Sequence, residues 1–325
     1  MIISRTPFRI SFTGGGSDLK DYYEKFGGCV ISTSIDKYIY LSIHPYFMEN
    51  KYFLKYSNNE LTNNAEDIKH NIIREVFLKY NINGVDFNSS ADVPSGTGLG
   101  SSSCFTVGLI NLCNAYTDKY MDKNSIADLA CQIEIDVLKE PIGKQDQYGC
   151  AIGGLNFIEF DKDDSVIVEK ISLRKDSYQK LEENLMMFYI GGTRSASDIL
   201  EKQKKNTNDN QATINGLHKL VELTKLLRKE LLSNNIDALG DILNTGWMYK
   251  RELSSNISNE RIDHYYNLAL KNGAIGGKLL GAGGSGFLLF YVPLEKQDKL
   301  RLALSEVQEF PFQFEKSGTS IIYYS

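Results

Sequence analysis

The segment Pro94-Ser95-Gly96-Thr97-Gly98-Leu99-Gly100-Ser101-Ser102-Ser103 constrains this chain more than any other. Three glycines at alternate positions give a backbone that can take φ > 0 and approach a ligand closely. The three serines open an apolar stretch, Ser101 to Tyr116, that reads as a helix with no proline or charged residue inside it. A glycine loop running into a helix start presents unpaired N–H groups and the positive end of the helix dipole, and the serine hydroxyls add donors. That is a phosphate cradle by construction. It is not a Walker A loop, because the lysine of GxxxxGK[ST] is absent. A tight turn followed by a serine cap is the plain alternative.

The rest of the chain can support such a site. Its 325 residues suffice for about two domains. Charged residues at 24% and aromatics at 11% exclude general disorder. A net charge of -5 argues against nucleic acid as a partner and leaves anionic small molecules open. Cys29, Cys104, Cys113, Cys131 and Cys150 form no CxxC pair, so a reducing compartment is expected. The four histidines have no metal-site spacing. Arg5 and Arg9 interrupt the first apolar stretch, which argues against a signal peptide, and the run Phe287 to Val292 is too short to span a bilayer. The expectation is a cytoplasmic protein without a membrane or nucleic-acid partner.

Periodicity gives a strand over Ile2–Phe12 and a helix over Ser17–Phe26 capped by Ser17. One or two strands over Cys29–Tyr46, a helix over Ala65–Tyr80 and a strand over Gly84–Ala91 follow. After the phosphate loop come helices over Ser101–Tyr116 and Asn124–Leu138, then a hairpin of Gly153–Phe160 and Ser165–Leu173. The second half reads as a strand over Leu185–Ile190, helices over Ser195–Arg251 broken at Asn206–Asn210, and a helix over Glu260–Lys271. It ends with strands at Phe287–Val292 and Ile321–Tyr324 flanking a helix at Glu295–Val307. The change of domain is expected between residues 170 and 190, giving two α+β domains at 1–178 and 179–325.

Three further segments carry chemistry. Arg9 in an otherwise apolar strand is costly unless it is paired or meets an anion. Asp18, beside Gly14-Gly15-Gly16, can accept hydrogen bonds from hydroxyls; a first-turn aspartate is the alternative. In Gly143-Lys144-Gln145-Asp146-Gln147, the Asp146 carboxylate can take a proton from a hydroxyl or cap a helix. The late cluster Lys278 to Gly286 formally matches G-x-G-x-x-G, but a strand follows it where a dinucleotide fold needs a helix, so it reads as a glycine loop against the site.

Together, in this order, the segments resemble the GHMP small-molecule kinases. The wording RTPFRISFTGGGSDL, GKQDQYGCAIGGLNF and GGTRSAS is most similar to the D-glycero-D-manno-heptose 7-phosphate kinases within that superfamily. The resemblance implies an α+β, two-domain fold: an N-terminal mixed α/β nucleotide-binding domain and a C-terminal ferredoxin-like α+β domain. It implies an enzyme that uses ATP and Mg²⁺ to phosphorylate the anomeric hydroxyl of a sugar phosphate. Pro94 to Ser103 would hold the nucleotide, Ser102 and Glu134 the Mg²⁺, and Asp146 with Arg9 the reacting groups. Gly15, Gly16, Ser17, Asp18, Thr193, Arg194, Gly283 and Gly284 would meet the substrate, with Arg194 on its phosphate and Lys144 and Lys278 next in line. Gly15 and Gly16 stand where galactokinases have glutamate and histidine, which puts a galactose-like contact pattern in doubt. A kinase for a free sugar such as fucose or galactose stays open, as does a homodimer. A non-catalytic sugar or nucleotide binder is disfavoured, because the serine loop, Glu134 and Asp146 are all intact.

Overall fold

A computed structural model of the chain describes residues 1–48, 50–192, 210–254 and 257–325. Its first sheet has nine strands built around β1 (Ile2–Thr13) and β2 (Gly28–Pro45), which run antiparallel. β2 is long enough to serve two neighbours. Its second half pairs with β5 (Val85–Ala91), and its first half with β6 (Leu155–Phe160). Beyond β5 lie the short hairpin strands β3 (Tyr52–Lys55) and β4 (Asn59–Thr62), β3 being parallel to β5; β7 (Val166–Lys170) pairs with β6. From Thr6 onward every residue of β1 is buried, as expected for a strand covered on both faces. The β1–β2 register shifts between Pro7 and Arg9, where Ile35 to Lys37 of β2 stand against Phe8 alone.

Helix α3 (Ser101–Tyr116) packs across β1. The contact is close at Gly108, whose carbonyl accepts from Ser4 Oγ at 3.0 Å. α4 (Lys123–Cys131) passes directly into a π-helical turn, Gln132–Val137, and α5 (Gln145–Ile152) follows a short connection.

The second half forms a four-stranded antiparallel sheet in the order β11 (Gln308–Glu309), β8 (Leu185–Tyr189), β10 (Phe287–Tyr291), β9 (Gly276–Leu279). α6 (Lys175–Glu183) precedes β8; α7 (Gln211–Leu232), α8 (Ala238–Glu252) and α9 (Glu260–Lys271) lie between β8 and β9 in sequence, and α10 (Leu294–Ala303) between β10 and β11. This strand order is that of a ferredoxin-like unit. The chain then returns to the first sheet, where β12 (Phe314–Glu315) pairs with β2 and β13 (Ser320–Tyr324) with β1. A single cut at 178/179 therefore leaves residues of the last two strands in the sheet of the first half.

Several elements differ from the sequence reading. The first helix, α1, begins at Lys20 rather than Ser17. The Ser17 hydroxyl instead bonds Gly14 O at 2.8 Å and Cys29 O at 3.0 Å, tying the glycine turn to β2. The helix expected over Ala65–Tyr80 is a 3₁₀ turn, Ala65–Asp67, and then α2 (Asn71–Tyr80). Lys278 lies on β9 and not in a loop. The strands β3 and β4 had no sequence counterpart, and the helix read from Ser195 falls partly outside the described residues. All five cysteines are free and buried. No helix among the described residues is long and apolar enough to cross a membrane.

Candidate active site

Arg9 lies in the fully buried part of β1, where 3% of the residue remains exposed. The strand run supplies no partner for a charge, and the first turn of α5 does. Arg9 Nε and Nη2 both reach Asp146 Oδ1, at 2.7 and 2.6 Å, and Nη1 donates to Gly98 O at 2.9 Å. Burial alone would lower the guanidinium pKa, but the Asp146 charge and hydrogen bond outweigh it and hold it above its ordinary value. Asp146 Oδ2 is left without a donor among the described residues and lies beside Gly100. One carboxylate oxygen is thus committed to orientation, and the other can take a hydrogen bond or a proton from a hydroxyl.

The glycine loop and the start of α3 complete one wall. Gly100 takes a left-handed conformation at φ 75° as the N-cap, and no side chain caps the helix. The first N–H groups of α3 and the hydroxyls of Ser101, Ser102 and Ser103 border a cavity of about 750 Å³. Ser102 Oγ donates to Glu134 Oε1 at 2.9 Å, and Gln147 Nε2 to Glu134 Oε2 at 2.7 Å. Glu134 sits in the π-helical turn with no exposed surface. Burial raises its pKa to about 7, against hydrogen bonds from Ser103, Gln147, Ser102 and Thr106 that favour the charged form. A buried carboxylate and an adjacent hydroxyl are hard oxygen donors. They suit Mg²⁺, which takes its remaining ligands from phosphate oxygens and water. No cluster of three or more His, Cys, Asp or Glu gathers elsewhere among the described residues.

The far end of the cavity is aromatic. His70 stacks on Phe105 at 5.0 Å and 27° and meets Tyr56 edge-on at 4.8 Å. With Ser89 to Ala91 these rings frame a slot suited to a flat base.

The opposite end is polar. Asp18 accepts from Gly16 N at 2.8 Å and Gln145 N at 3.4 Å, and burial, joined by the like charge of Asp146, raises its pKa. Gly143 packs so tightly on Asp18 that no side chain fits there. Ser11 Oγ and Gln145 Oε1 are buried, line the cavity and meet no partner among the described residues.

Of the residues singled out from sequence, Arg9, Gly15, Gly16, Asp18, Pro94, Ser95, Gly96, Gly98, Gly100, Ser101 to Ser103, Asp146 and Gly283 border this one cavity. Thr97 and Leu99 face inward: Thr97 Oγ1 donates to Pro94 O at 3.0 Å, and Leu99 O accepts from Arg9 N at 3.3 Å. Gly284 turns away to Ile257 and Asn259. Ser17 also faces away, for the reason given above. Thr193 and Arg194 lie outside the described residues. Lys144 is held by Asp164, whose Oδ1 is 2.7 Å away. Sequence reasoning missed Lys250, the aromatic slot and the two orphaned polar atoms. Lys250 carried a visible signal: it continues the buried face of α8 set by Leu239, Leu243, Gly246 and Trp247.

The model of the GHMP kinases N terminal domain matches residues 52–154, and that of the GHMP kinases C terminal domain matches residues 227–311. The D-glycero-alpha-D-manno-heptose 7-phosphate kinase of Campylobacter jejuni is 30% identical over 98% of this chain and 97% of its own length. Two solved structures share the fold along the chain. A D-glycero-D-manno-heptose 1-phosphate kinase from Bacteroides thetaiotaomicron has a TM-score of 0.83 at 22% identity, covering 100% of both chains. Lactococcus lactis galactokinase complexed with galactose has a TM-score of 0.77 at 15% identity, covering 98% and 94%. The chain belongs to the GHMP kinases, which transfer phosphate from ATP to a hydroxyl group.

Proposed function

We propose that the protein is a sugar kinase that phosphorylates the anomeric hydroxyl of D-glycero-D-manno-heptose 7-phosphate, giving the 1,7-bisphosphate that leads to nucleotide-activated heptose. The full-length similarity to a kinase of that name supports the reading. So does the polar end of the cavity, which Gly15, Gly16 and Asp18 border without a bulky side chain at the two glycines.

In this reading the base lies in the slot of Tyr56, His70 and Phe105, and the triphosphate follows Ser95 to Ser103. The acceptor sits between Asp18 and Asp146. Mg²⁺, held by Ser102 and Glu134, neutralises phosphate charge when bound. The acceptor oxygen attacks the γ-phosphorus while the bond to the β–γ bridging oxygen breaks, and ADP leaves with that electron pair. The hydroxyl proton passes to Asp146 Oδ2, the oxygen that Arg9 does not occupy. Arg9 fixes the orientation of the carboxylate and offsets the charge on the transferred group. Phosphoryl transfer rests mainly on such positioning and charge neutralisation.

The observation that carries the reading is the Arg9–Asp146 pair seated where the phosphate loop meets the acceptor pocket. Asp146→Asn removes the proton acceptor and keeps the shape. ADP release should fall by about 10³-fold or more in kcat with MgATP affinity nearly intact. Near-normal turnover would remove Asp146 from the chemistry. A panel of the heptose 7-phosphate, unphosphorylated heptose, mannose 6-phosphate, fucose and galactose tests the acceptor, and turnover confined to a free sugar would replace it.

A further inference from the structure

The cations around the acceptor end are not equally engaged. Arg9 places three of its five donors on Asp146 Oδ1 and Gly98 O and is paired with a carboxylate. Lys278 Nζ donates to Ser11 O at 2.7 Å and to Phe12 O at 3.0 Å. Lys250, on the last turn of α8, is 9% exposed and borders the cavity. Gly281 O is the one acceptor it meets among the described residues, and no carboxylate among them lies within ion-pair distance. An ammonium carries three N–H donors, so two have no acceptor among the described residues. Burying a cation in that state is unfavourable unless something else completes its shell.

The surrounding charges do not complete it. The groups that face Lys250 are Arg9, Lys278, Asp18 and Asp146. Asp146 Oδ1 is taken by Arg9 and Asp18 by two backbone N–H groups, and neither carboxylate lies within ion-pair distance of Lys250 Nζ. Burial and the neighbouring Lys250 and Arg9 charges push the Lys278 pKa well below its ordinary value, so it offers Lys250 no compensation. Burial and the Arg9 charge push the Lys250 pKa down to about 8, so the lysine is still mostly protonated at neutral pH. Ser11 Oγ and Gln145 Oε1 add unpaired polar atoms to the same pocket. An anionic group on a hydroxyl-bearing molecule would supply partners for Lys250 Nζ, Ser11 Oγ and Gln145 Oε1 together.

We propose that Lys250 reaches from the second half of the chain to bind the phosphate of the acceptor, and so makes the site selective for a phosphorylated sugar over a free one. The proposal rests on the sugar-phosphate reading above. The Gly281 carbonyl that Lys250 holds belongs to the loop that packs on Gly98 of the phosphate loop, so the lysine braces the second-half side of that contact. Occupation of its free donors by the acceptor would link acceptor binding to that contact.

Trp247 provides a direct readout. It is the single tryptophan of the chain, 1% exposed, and it lines the same small void as Lys250, one helical turn away. Trp247 emission, titrated with heptose 7-phosphate, should report saturable binding in the wild-type protein. Lys250→Met should weaken that Kd by about 10–100-fold, as expected for one charge-assisted contact. Lys250→Arg should recover part of it, and the KM for MgATP should stay within about twofold in both. Equal Kd values for wild type and Lys250→Met, with turnover of the heptose phosphate retained, would overturn the role of Lys250 alone. Wild-type protein that ignores the phosphorylated heptose and turns over a free sugar would instead overturn the substrate reading, and the Lys250 proposal with it. If Lys250→Met unfolds, Lys250→Gln in the same titration carries the comparison.

Discussion

The contact between the two glycine loops makes a quantitative prediction. Gly98 sits at φ 90°, and a Cβ there would lie 2.5 Å from Leu280 O and 2.8 Å from Leu280 C. Gly281, at φ 74°, meets the Gly98 Cα just as closely from the other side. In Gly98→Ala the left-handed backbone costs about 1–2 kcal/mol. The overlap forces the loops apart by roughly 1 Å, and overpacking of that kind costs about 1–3 kcal/mol. The sum is about 2–5 kcal/mol. With an unfolding entropy of about 2.1 cal/mol/K per residue, this corresponds to a fall in Tm of about 3–7 °C if the chain unfolds in one step. Separation of the loops also moves Gly98 O away from Arg9 Nη1, so KM for ATP should rise about tenfold and kcat should fall. Scanning fluorimetry without ligands and ADP release at varied MgATP measure the two effects. Gly15→Ala is the control: it borders the same cavity, carries no left-handed φ, and its added Cβ meets only Gln145 Nε2, at 3.5 Å. Its Tm should stay within about 1 °C of wild type, a shift of the size expected for a well-accommodated substitution. Wild-type Tm and KM in Gly98→Ala would refute the steric argument.

The remaining predictions concern charge. Arg9→Lys can satisfy at most part of the three-point contact to Asp146 and Gly98, so kcat should drop about 10–100-fold in steady-state turnover. Glu134→Gln removes the charged ligand, and the Mg²⁺ concentration giving half-maximal rate should rise at least about tenfold; an unchanged Mg²⁺ titration would move the cation elsewhere. Lys250, with its pKa lowered to about 8, loses its charge as pH rises through that value. The KM for a phosphorylated acceptor should therefore be flat below pH about 7.5 and climb above about 8. The same profile should be flat in Lys250→Arg, whose guanidinium stays protonated.

What could be read in advance follows from how local each signal is. The phosphate loop was legible because its glycine spacing and the apolar helix behind it are contiguous in sequence. Arg9 was legible because a charge in a strand with apolar neighbours demands a partner, and the structure supplies Asp146, 137 positions away. Glu134 was assigned only through resemblance, since a π-helical turn has no periodic signature and a regular helix over Asn124–Leu138 was the natural reading. Ser17 misled because a serine before an apolar stretch resembles a cap, whereas here it closes the glycine turn onto β2. The hairpin of Tyr52–Lys55 and Asn59–Thr62 is too short to alternate visibly. Lys250 was overlooked although a lysine on the buried face of an amphipathic helix is itself a departure from pattern; its partner, Gly281 O, lies in a loop 31 positions further on.

The return of β12 and β13 to the first sheet sets the mechanics of the molecule. The second unit is joined to the first by two stretches of chain, one entering near β8 and one leaving after β11. A body held by two straps keeps one easy rotation, about the line through both attachments, and loses the free swing of a body on a single linker. The contact of Gly98 with Gly281 lies between the two bodies. The cavity bordered by Gly98, Gly281 and Lys250 is thus walled by two bodies that two covalent connections, rather than one, hold in register.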